Sequence, residues 1–191
     1  MNNNDTANPP ETVPLGAEPN SRERAFDTIL LLANGSTQDG RASRRIRSIA
    51  RELDATQPEV RITAAFWKEE PTPADALEWL STRRALVIPV LMGDGYFYRR
   101  AFPSLLGIDG SVTPHPEREI VYAEPIGESE AFAHALNEVI HDTLKDALPE
   151  VLSEEQLDTQ SVLQTVVLVG HGTARSARSR DTVIRIVSRL R

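Results

Sequence analysis

An eight-residue pattern occurs twice in this chain, 137 positions apart, and it constrains the fold more than any other feature. The first copy, Ile29–Ser36, reads ILLLANGS, and the second, Val166–Thr173, reads VVLVGHGT. The apolar positions that follow coincide without a gap, as Ile46 with Val183, Ile49 with Ile186, Ala50 with Val187 and Leu53 with Leu190. A buried strand, a turn of small residues and an amphipathic helix are therefore predicted twice. The turns differ in chemistry, because Asn34 offers a carboxamide where His171 offers an imidazole.

Apolar runs alternate with amphipathic segments between the two copies. Strands are predicted at 28–33, 60–67, 85–91 and 119–123. Helices are predicted at 43–53 and 73–80, as a short segment ending at 106, and at 129–147. Ser43 and Thr72 are expected to cap the first two helices. The alternation predicts an α/β fold, with a four-stranded parallel sheet and flanking helices.

The composition of each segment predicts how the chain is divided. Residues 1–23 are polar and proline-containing, which is typical of a disordered tail. Residues 24–148 form the α/β domain, 149–164 a polar linker, and 165–191 the first strand and helix of a second, similar unit. That last segment cannot bury its apolar stripe alone. We therefore expect it to dock on the first unit, to mediate self-association, or to be disordered.

Composition excludes several classes of function. The chain of 191 residues has no cysteine, so disulfides, thiolate metal sites and cysteine nucleophiles are absent from it. A net charge of −7 argues against nucleic acid as a partner, and a basic cluster at 41, 44, 45, 47 and 51 is interpreted as a solvated helix face. No apolar run suits a membrane span and no signal peptide is recognisable, which fits a cytoplasmic protein without a membrane partner.

Four segments are predicted to meet at one edge of the sheet. They are residue 34 and segments 67–70, 92–97 and 124–127, each of which follows a strand. Ligands of parallel sheets bind beyond the carboxyl ends of the strands. Glu69 and Glu70 fall at this edge, where solvation is favoured over a role in attracting metal or taking protons. His134, Glu138 and His141 share a helical face that is predicted to be solvated.

Four stretches of sequence resemble one enzyme family. They are LLLANGS at 30–36, FWKEEPTPADAL at 66–77, IPVLMGDGYFYRRAFPSLLG at 88–107 and AEPIGE at 123–128. In this order they resemble the class II tetrapyrrole metal chelatases, the sirohydrochlorin cobaltochelatase and ferrochelatase group. The resemblance implies a lyase that inserts Co²⁺ or Fe²⁺ into an acidic tetrapyrrole such as sirohydrochlorin, in cobalamin or siroheme biosynthesis. The metal is then a substrate, and no prosthetic group is expected.

The resemblance also implies which residues form the site. The family's two histidines correspond to Asn34 and Phe97, so the first unit lacks the expected metal ligands. An imidazole binds cobalt or iron(II) and takes a proton near neutral pH, so His171 is expected to be the catalytic, metal-handling base. The residues expected to line the substrate cleft are Asn34, Gly35, Ser36, Gly95, Phe97, Gly172 and Thr173.

The sequence leaves a second interpretation open. A second unit of the family would place its other histidine beyond Arg191, so the site looks incomplete in this chain. A missing C-terminal half, or assembly with another chain, would complete it. The alternative is a non-catalytic tetrapyrrole- or metal-binding module, or a scaffold, derived from a chelatase.

Overall fold

The structure, a computed structural model, describes residues 26–38, 40–79, 82–114, 116, 118–151, 165–170 and 178–190. Within these residues one five-stranded sheet has the order β2-β1-β3-β5-β4. Its strands are β1 (Thr28–Ala33), β2 (Arg61–Phe66), β3 (Arg84–Pro89), β4 (Val112–Pro114) and β5 (Glu119–Tyr122). The helices are α1 (Arg41–Thr56), α2 (Pro73–Trp79), α3 (Phe102–Leu106), α4 (Glu130–Val151) and α5 (Arg178–Arg189). A π-helical turn (Phe97–Ala101) precedes α3, and a 3-10 turn (Ile126–Glu128) precedes α4.

The α/β fold with a parallel sheet is confirmed, and the sheet has one strand more than the sequence predicts. The four strands β2, β1, β3 and β5 run parallel to one another, whereas β4 pairs antiparallel with β5. The extra strand is only three residues long and lies in a loop rich in glycine and proline. Its proline is tolerated because β4 lies at the edge of the sheet.

The central strand β1 explains why its sequence is apolar at successive positions. It pairs with β2 on one side and β3 on the other, and both of its faces are covered by helices. Leu30 and Leu32 pack with Phe102 on the face covered by α2 and α3. Leu31 packs with Phe66 on the opposite face, which α1 covers. The strand ends are therefore held rigidly where the predicted site lies.

One of the two predicted helix caps is confirmed and the other is wrong. The Thr72 hydroxyl accepts a hydrogen bond from the Asp75 backbone N–H at 3.3 Å, so it caps α2. Helix α1 begins at Arg41, two residues before the expected cap, and Gly40 occupies the cap position. Ser43 instead lies buried inside the first turn and donates to the Gly40 carbonyl at 3.1 Å.

The second copy of the repeated pattern is described only in part. Residues 165–170 belong to neither helix nor strand, whereas α5 forms and contacts both α4 and the 3-10 turn. Docking on the first unit is thus the outcome found for α5. Residues 1–25 and 152–164, which include the predicted tail and most of the predicted linker, lie outside the described residues. No helix in the described part of the chain is long and apolar enough to cross a membrane.

Candidate functional site

The carboxyl ends of β1, β2 and β3 meet at one rim of the sheet, as the sequence predicts. The Trp67 N–H donates to the Ala33 carbonyl at 2.9 Å, and the Lys68 N–H donates to the Asn34 carbonyl at 3.0 Å. On the other side of β1, the Val90 N–H donates to the Leu32 carbonyl at 2.7 Å. These bonds extend the sheet beyond the strands, so the segments that follow them are held side by side.

The turn after β1 requires glycine at position 35. Gly35 has a φ of 67°, a conformation that residues with side chains rarely adopt. A Cβ at this position would lie 3.0 Å from both Phe66 Cβ and Glu69 Oε1. The next backbone N–H, of Ser36, donates to Glu69 Oε1 at 2.5 Å. The predicted residues Asn34, Gly35 and Ser36 are therefore fixed by contact with the segment after β2.

Glu69 and Arg47 hold this turn together, and the expectation that both are solvated is wrong. Arg47 Nη2 lies 3.2 Å from Glu69 Oε2 and donates to the Glu70 carbonyl at 2.7 Å. The Arg47 guanidinium also stacks 4.3 Å from the Phe66 ring centroid. The Ser36 N–H above all, with the Ser43 hydroxyl and Arg47, lowers the pKa of Glu69 below its ordinary value.

The sequence held one indication of this role for Arg47. It lies three residues before Ala50, so it shares a helix face with a residue of the apolar stripe. The other four arginines of the basic cluster are exposed, at 41, 44, 45 and 51, and for them the prediction of a solvated face is confirmed. The positive charge of these residues therefore does not distinguish the partly buried Arg47 from its four exposed neighbours.

Three aromatic side chains form a wall at the rim, here called the aromatic wall: Trp67, Tyr96 and Phe97. The Phe97 ring meets Trp67 edge-on at 5.1 Å and Tyr96 at 5.6 Å, and leans on buried Phe102 at 5.9 Å. Trp67 and Tyr96 remain 39% and 66% exposed. The wall thus presents apolar ring surface to solvent, which suits a flat ligand.

Phe97 of the aromatic wall is the first residue of a π-helical turn, which lies beside open space. π-helical turns interrupt the regular helical hydrogen bonds and are frequent at functional sites. Here the turn spans Phe97–Ala101 and places Phe97 towards Trp67. A Cβ added at Gly95 would meet no atom within 4 Å. The predicted residues Gly95 and Phe97 therefore lie next to open space, and Trp67 joins them to the turn that contains Asn34.

Two buried oxygen atoms at this rim have no partner among the described residues. They are Oδ1 of Asn34, after β1, and Oδ1 of Asp94, after β3. Buried acceptors are normally paired, because an unmet one costs about 1–3 kcal/mol.

The residues His171, Gly172 and Thr173 lie outside the described residues, so the structure does not place the predicted imidazole. The described histidines, His134 and His141, lie exposed on α4, as predicted. His134 Nε2 pairs with Glu138 at 3.4 Å. No group of three metal-ligating side chains occurs in the part of the chain that the structure describes.

Comparison with known proteins identifies relatives for most of the fold. A probable sirohydrochlorin cobaltochelatase from Halobacterium salinarum is 26% identical over 143 residues, 64% of this chain and 44% of that protein. A sirohydrochlorin cobaltochelatase from Saccharolobus islandicus is 33% identical over 81 residues, 39% of this chain and 63% of that protein. The aligned part of this chain thus spans less than two thirds of the length of either relative.

One solved structure and a family model agree with this likeness. The structure of CbiX, described as the terminal enzyme for siroheme biosynthesis in denitrifying bacteria, superposes with a TM-score of 0.57. It is 20% identical and covers 85% of this chain and 63% of its own, which supports the fold. The CbiX family model matches residues 28–143, from β1 into α4. Because this match covers more than half of the chain, the protein belongs to the CbiX family.

Proposed function

We propose that this chain is a metal chelatase that inserts Co²⁺ or Fe²⁺ into a sirohydrochlorin-type tetrapyrrole at the rim of its sheet. The observation that carries the proposal is the CbiX family match over residues 28–143, which includes the β1 turn and the aromatic wall. Two relatives carry the name sirohydrochlorin cobaltochelatase, which supports this class of substrate.

The chemistry of the rim suits a flat, acidic macrocycle. The aromatic wall offers exposed ring surface for apolar contact. Lys68, whose Nζ lies 5.4 Å from the Trp67 ring, and exposed Arg100 offer cations to carboxylates at the edge of the macrocycle. In this proposal these side chains bind and orient the substrate.

The reaction also needs a group that takes protons. Insertion of a divalent metal ion replaces two pyrrole protons, which must be released from the macrocycle. The Asn34 amide is not basic near neutral pH and Phe97 has no lone pair, so neither performs this step. We assign it to His171, whose imidazole also suits the incoming metal ion. In this proposal the small residues Gly35, Ser36 and Gly95 leave the cleft open, and Gly172 and Thr173 are assigned the same role from the sequence alone.

The test is an absorbance time course of sirohydrochlorin with Co²⁺, and separately with Fe²⁺, under anaerobic conditions. We expect the chain to accelerate the spectral change over the reaction without protein. The His171→Ala variant should lose about 10²-fold of that acceleration, the lower range for a general base. The matched control is His141→Ala, which removes an exposed imidazole from α4 and should leave the rate unchanged.

If neither variant loses rate, His171 has no role in the mechanism. No acceleration by the unaltered chain with either metal would overturn the proposal. Quenching of tryptophan emission by sirohydrochlorin, without turnover, would then identify the alternative, a binding module without catalysis. Asn34 and Phe97 in place of the family's histidines are the observation that favours this alternative.

A further inference from the structure

Helix α5 is held against the rim by one buried carboxylate, that of Glu128. This side chain is 10% exposed and lies at the end of the 3-10 turn. Its Oε1 accepts hydrogen bonds from Thr182 Oγ1 at 2.7 Å and Arg185 Nη2 at 2.6 Å, and its Oε2 accepts one from Arg185 Nε at 2.9 Å. Arg189 donates to the Glu128 carbonyl as well. The forked bond to Arg185 fixes both the position and the rotation of α5.

The loop after β3 is shaped to receive this helix. A Cβ added at Gly93 would lie 2.5 Å from Thr182 Oγ1 and 3.0 Å from Thr182 Cβ. Thr182 itself is buried, with 3% of its surface exposed. Only a residue without a side chain therefore allows α5 to approach so closely. The same loop continues into Asp94, Gly95 and the aromatic wall.

Asp94 contacts both α5 and the turn that contains the wall. Its Oδ2 accepts a hydrogen bond from Arg99 and lies 3.5 Å from Arg178 Nη1, at the first turn of α5. Its backbone N–H faces the Glu128 carboxylate. Arg99 lies two residues after Phe97 in the π-helical turn. A short path of contacts thus leads from α5 through Asp94 and Arg99 to Phe97.

We propose that Asp94 is a positioning residue that couples the docking of α5 to the placement of the aromatic wall. When α5 is docked, the Asp94 carboxylate is shared by guanidinium groups from both elements. When α5 leaves, Asp94 loses Arg178 and the neighbouring Glu128 carboxylate loses its partners on α5. The loop is then free to shift, and Phe97 moves relative to Trp67. The coupling rests on the proposed function only where it concerns the affinity for a tetrapyrrole.

Trp67 reports on this coupling without any ligand, because its ring touches Phe97. The chain has two tryptophans, so Trp79→Phe leaves Trp67 as the sole emitter. In that background, Arg185→Met removes the forked bond to Glu128 without changing any residue of the wall. We expect faster amide exchange over 178–190 together with a shifted Trp67 emission. The control is Arg180→Met, which removes an exposed arginine paired at 3.9 Å with Asp181 on the same helix.

A second pair of variants releases α5 by a different route. Gly93→Ala places a methyl group against Thr182, whereas Gly95→Ala, two residues along the same loop, meets no atom within 4 Å. Gly93→Ala should therefore raise amide exchange in α5 and shift the Trp67 emission, and Gly95→Ala should leave amide exchange in α5 unchanged. Faster exchange in α5 with unchanged Trp67 emission in both Gly93→Ala and Arg185→Met would overturn the coupling.

Asp94→Asn tests the positioning residue directly. It keeps the size of the side chain and leaves the bonds between Glu128 and α5 in place. We expect slow amide exchange in α5 but a Trp67 emission shifted as in Arg185→Met. If Asp94→Asn leaves the emission unchanged, Asp94 does not position the wall. Far-ultraviolet circular dichroism confirms that each variant is folded.

Titration with sirohydrochlorin separates this inference from the proposed function. If both hold, the Kd rises about fivefold or more in Asp94→Asn and in Arg185→Met, relative to Arg180→Met. If the unaltered chain does not bind sirohydrochlorin, the proposed function fails, and the Trp67 emission alone decides the coupling. If sirohydrochlorin binds with the same Kd in all variants, the part of the inference that concerns ligand affinity is wrong, and the Trp67 emission decides the coupling between α5 and the wall.

Discussion

The two copies of the repeated pattern have the same arrangement of apolar residues and very different surroundings. In the first copy, Leu30 and Leu32 are both 0% exposed, because β1 is paired on both edges and covered on both faces. In the second copy, the equivalent residues Val167 and Val169 are 75% and 85% exposed. An apolar strand sequence therefore shows that a segment is able to be buried. Whether it is buried depends on the strands and helices that pack against it.

The two helices that follow use different faces. Helix α1 lies on the sheet through Ile46 and Ala50, which pack with Phe66. The α5 residue equivalent to Ala50 is Val187, which is 45% exposed. Helix α5 docks through Thr182, Arg185 and Ile186 instead. These correspond to residues 45, 48 and 49 of α1, of which 45 and 49 are exposed. Apolar packing thus attaches the first helix, whereas the second is attached by the partly buried ion pair of Arg185 and Glu128 together with buried Ile186.

Truncation of equivalent strand residues should give the largest difference between the two copies. Leu32→Ala leaves a cavity in the core and should lower the free energy of unfolding by about 2–5 kcal/mol. Val169→Ala changes an exposed side chain and should alter it by less than about 0.5 kcal/mol. Urea unfolding followed by circular dichroism measures both. A loss above about 1 kcal/mol for Val169→Ala would mean that residues 165–170 are buried in solution.

The sequence predicted those features that depend on local pattern. Continuous apolar runs located the four parallel strands, and the strand ends then located Asn34 and Phe97 at one rim. The three-residue β4 lacked such a run and was missed.

Contacts between distant segments could not be predicted from the sequence. Glu69 meets Ser36 across 33 positions, and Glu128 meets Arg185 across 57. Neither pair has a periodic signal along the chain. A charged residue that is predicted to be solvated therefore remains a candidate for such a contact until the fold is known.

Acid should release α5 before it unfolds the sheet. The Arg185 guanidinium first, and then Thr182, lower the pKa of Glu128 below its ordinary value of 4.5. A lowered pKa in the docked state means that docking favours the charged carboxylate. The contribution is complete above about pH 4.5 and is lost as the pH falls through the lowered pKa. We expect it to be about 1–2 kcal/mol, reduced from that of a fully buried pair because Arg185 is 42% exposed.

Nuclear magnetic resonance checks this order of events. The signals of Thr182 and Ile186 should change as the pH falls below about 4.5, while those of Leu30 and Leu32 in β1 keep their folded positions. Glu128→Gln should weaken the docking at neutral pH and flatten its pH dependence. Signals of α5 and β1 that change together in acid would contradict separate attachment of the two copies.

The smallest effect is expected for a substitution of Glu69, whose carboxylate supports the turn of the first copy. Glu69 is bound to the Ser36 N–H and Arg47, but β1 and α1 are also held by the core, so Glu69→Gln should cost only about 0.5–1 kcal/mol in unfolding free energy. Its effect should be local, as faster amide exchange at Ser36. The control is Glu70→Gln, since Arg47 binds only the backbone carbonyl of Glu70 and exchange at Ser36 should stay unchanged.

The support from Glu69 should also depend on pH. Because the pKa of Glu69 is lowered in the folded protein, this support should weaken below about pH 4.5. If Glu69→Gln unfolded the whole domain, the β1 turn would depend on a charged contact as α5 does, and the contrast between the copies would be wrong.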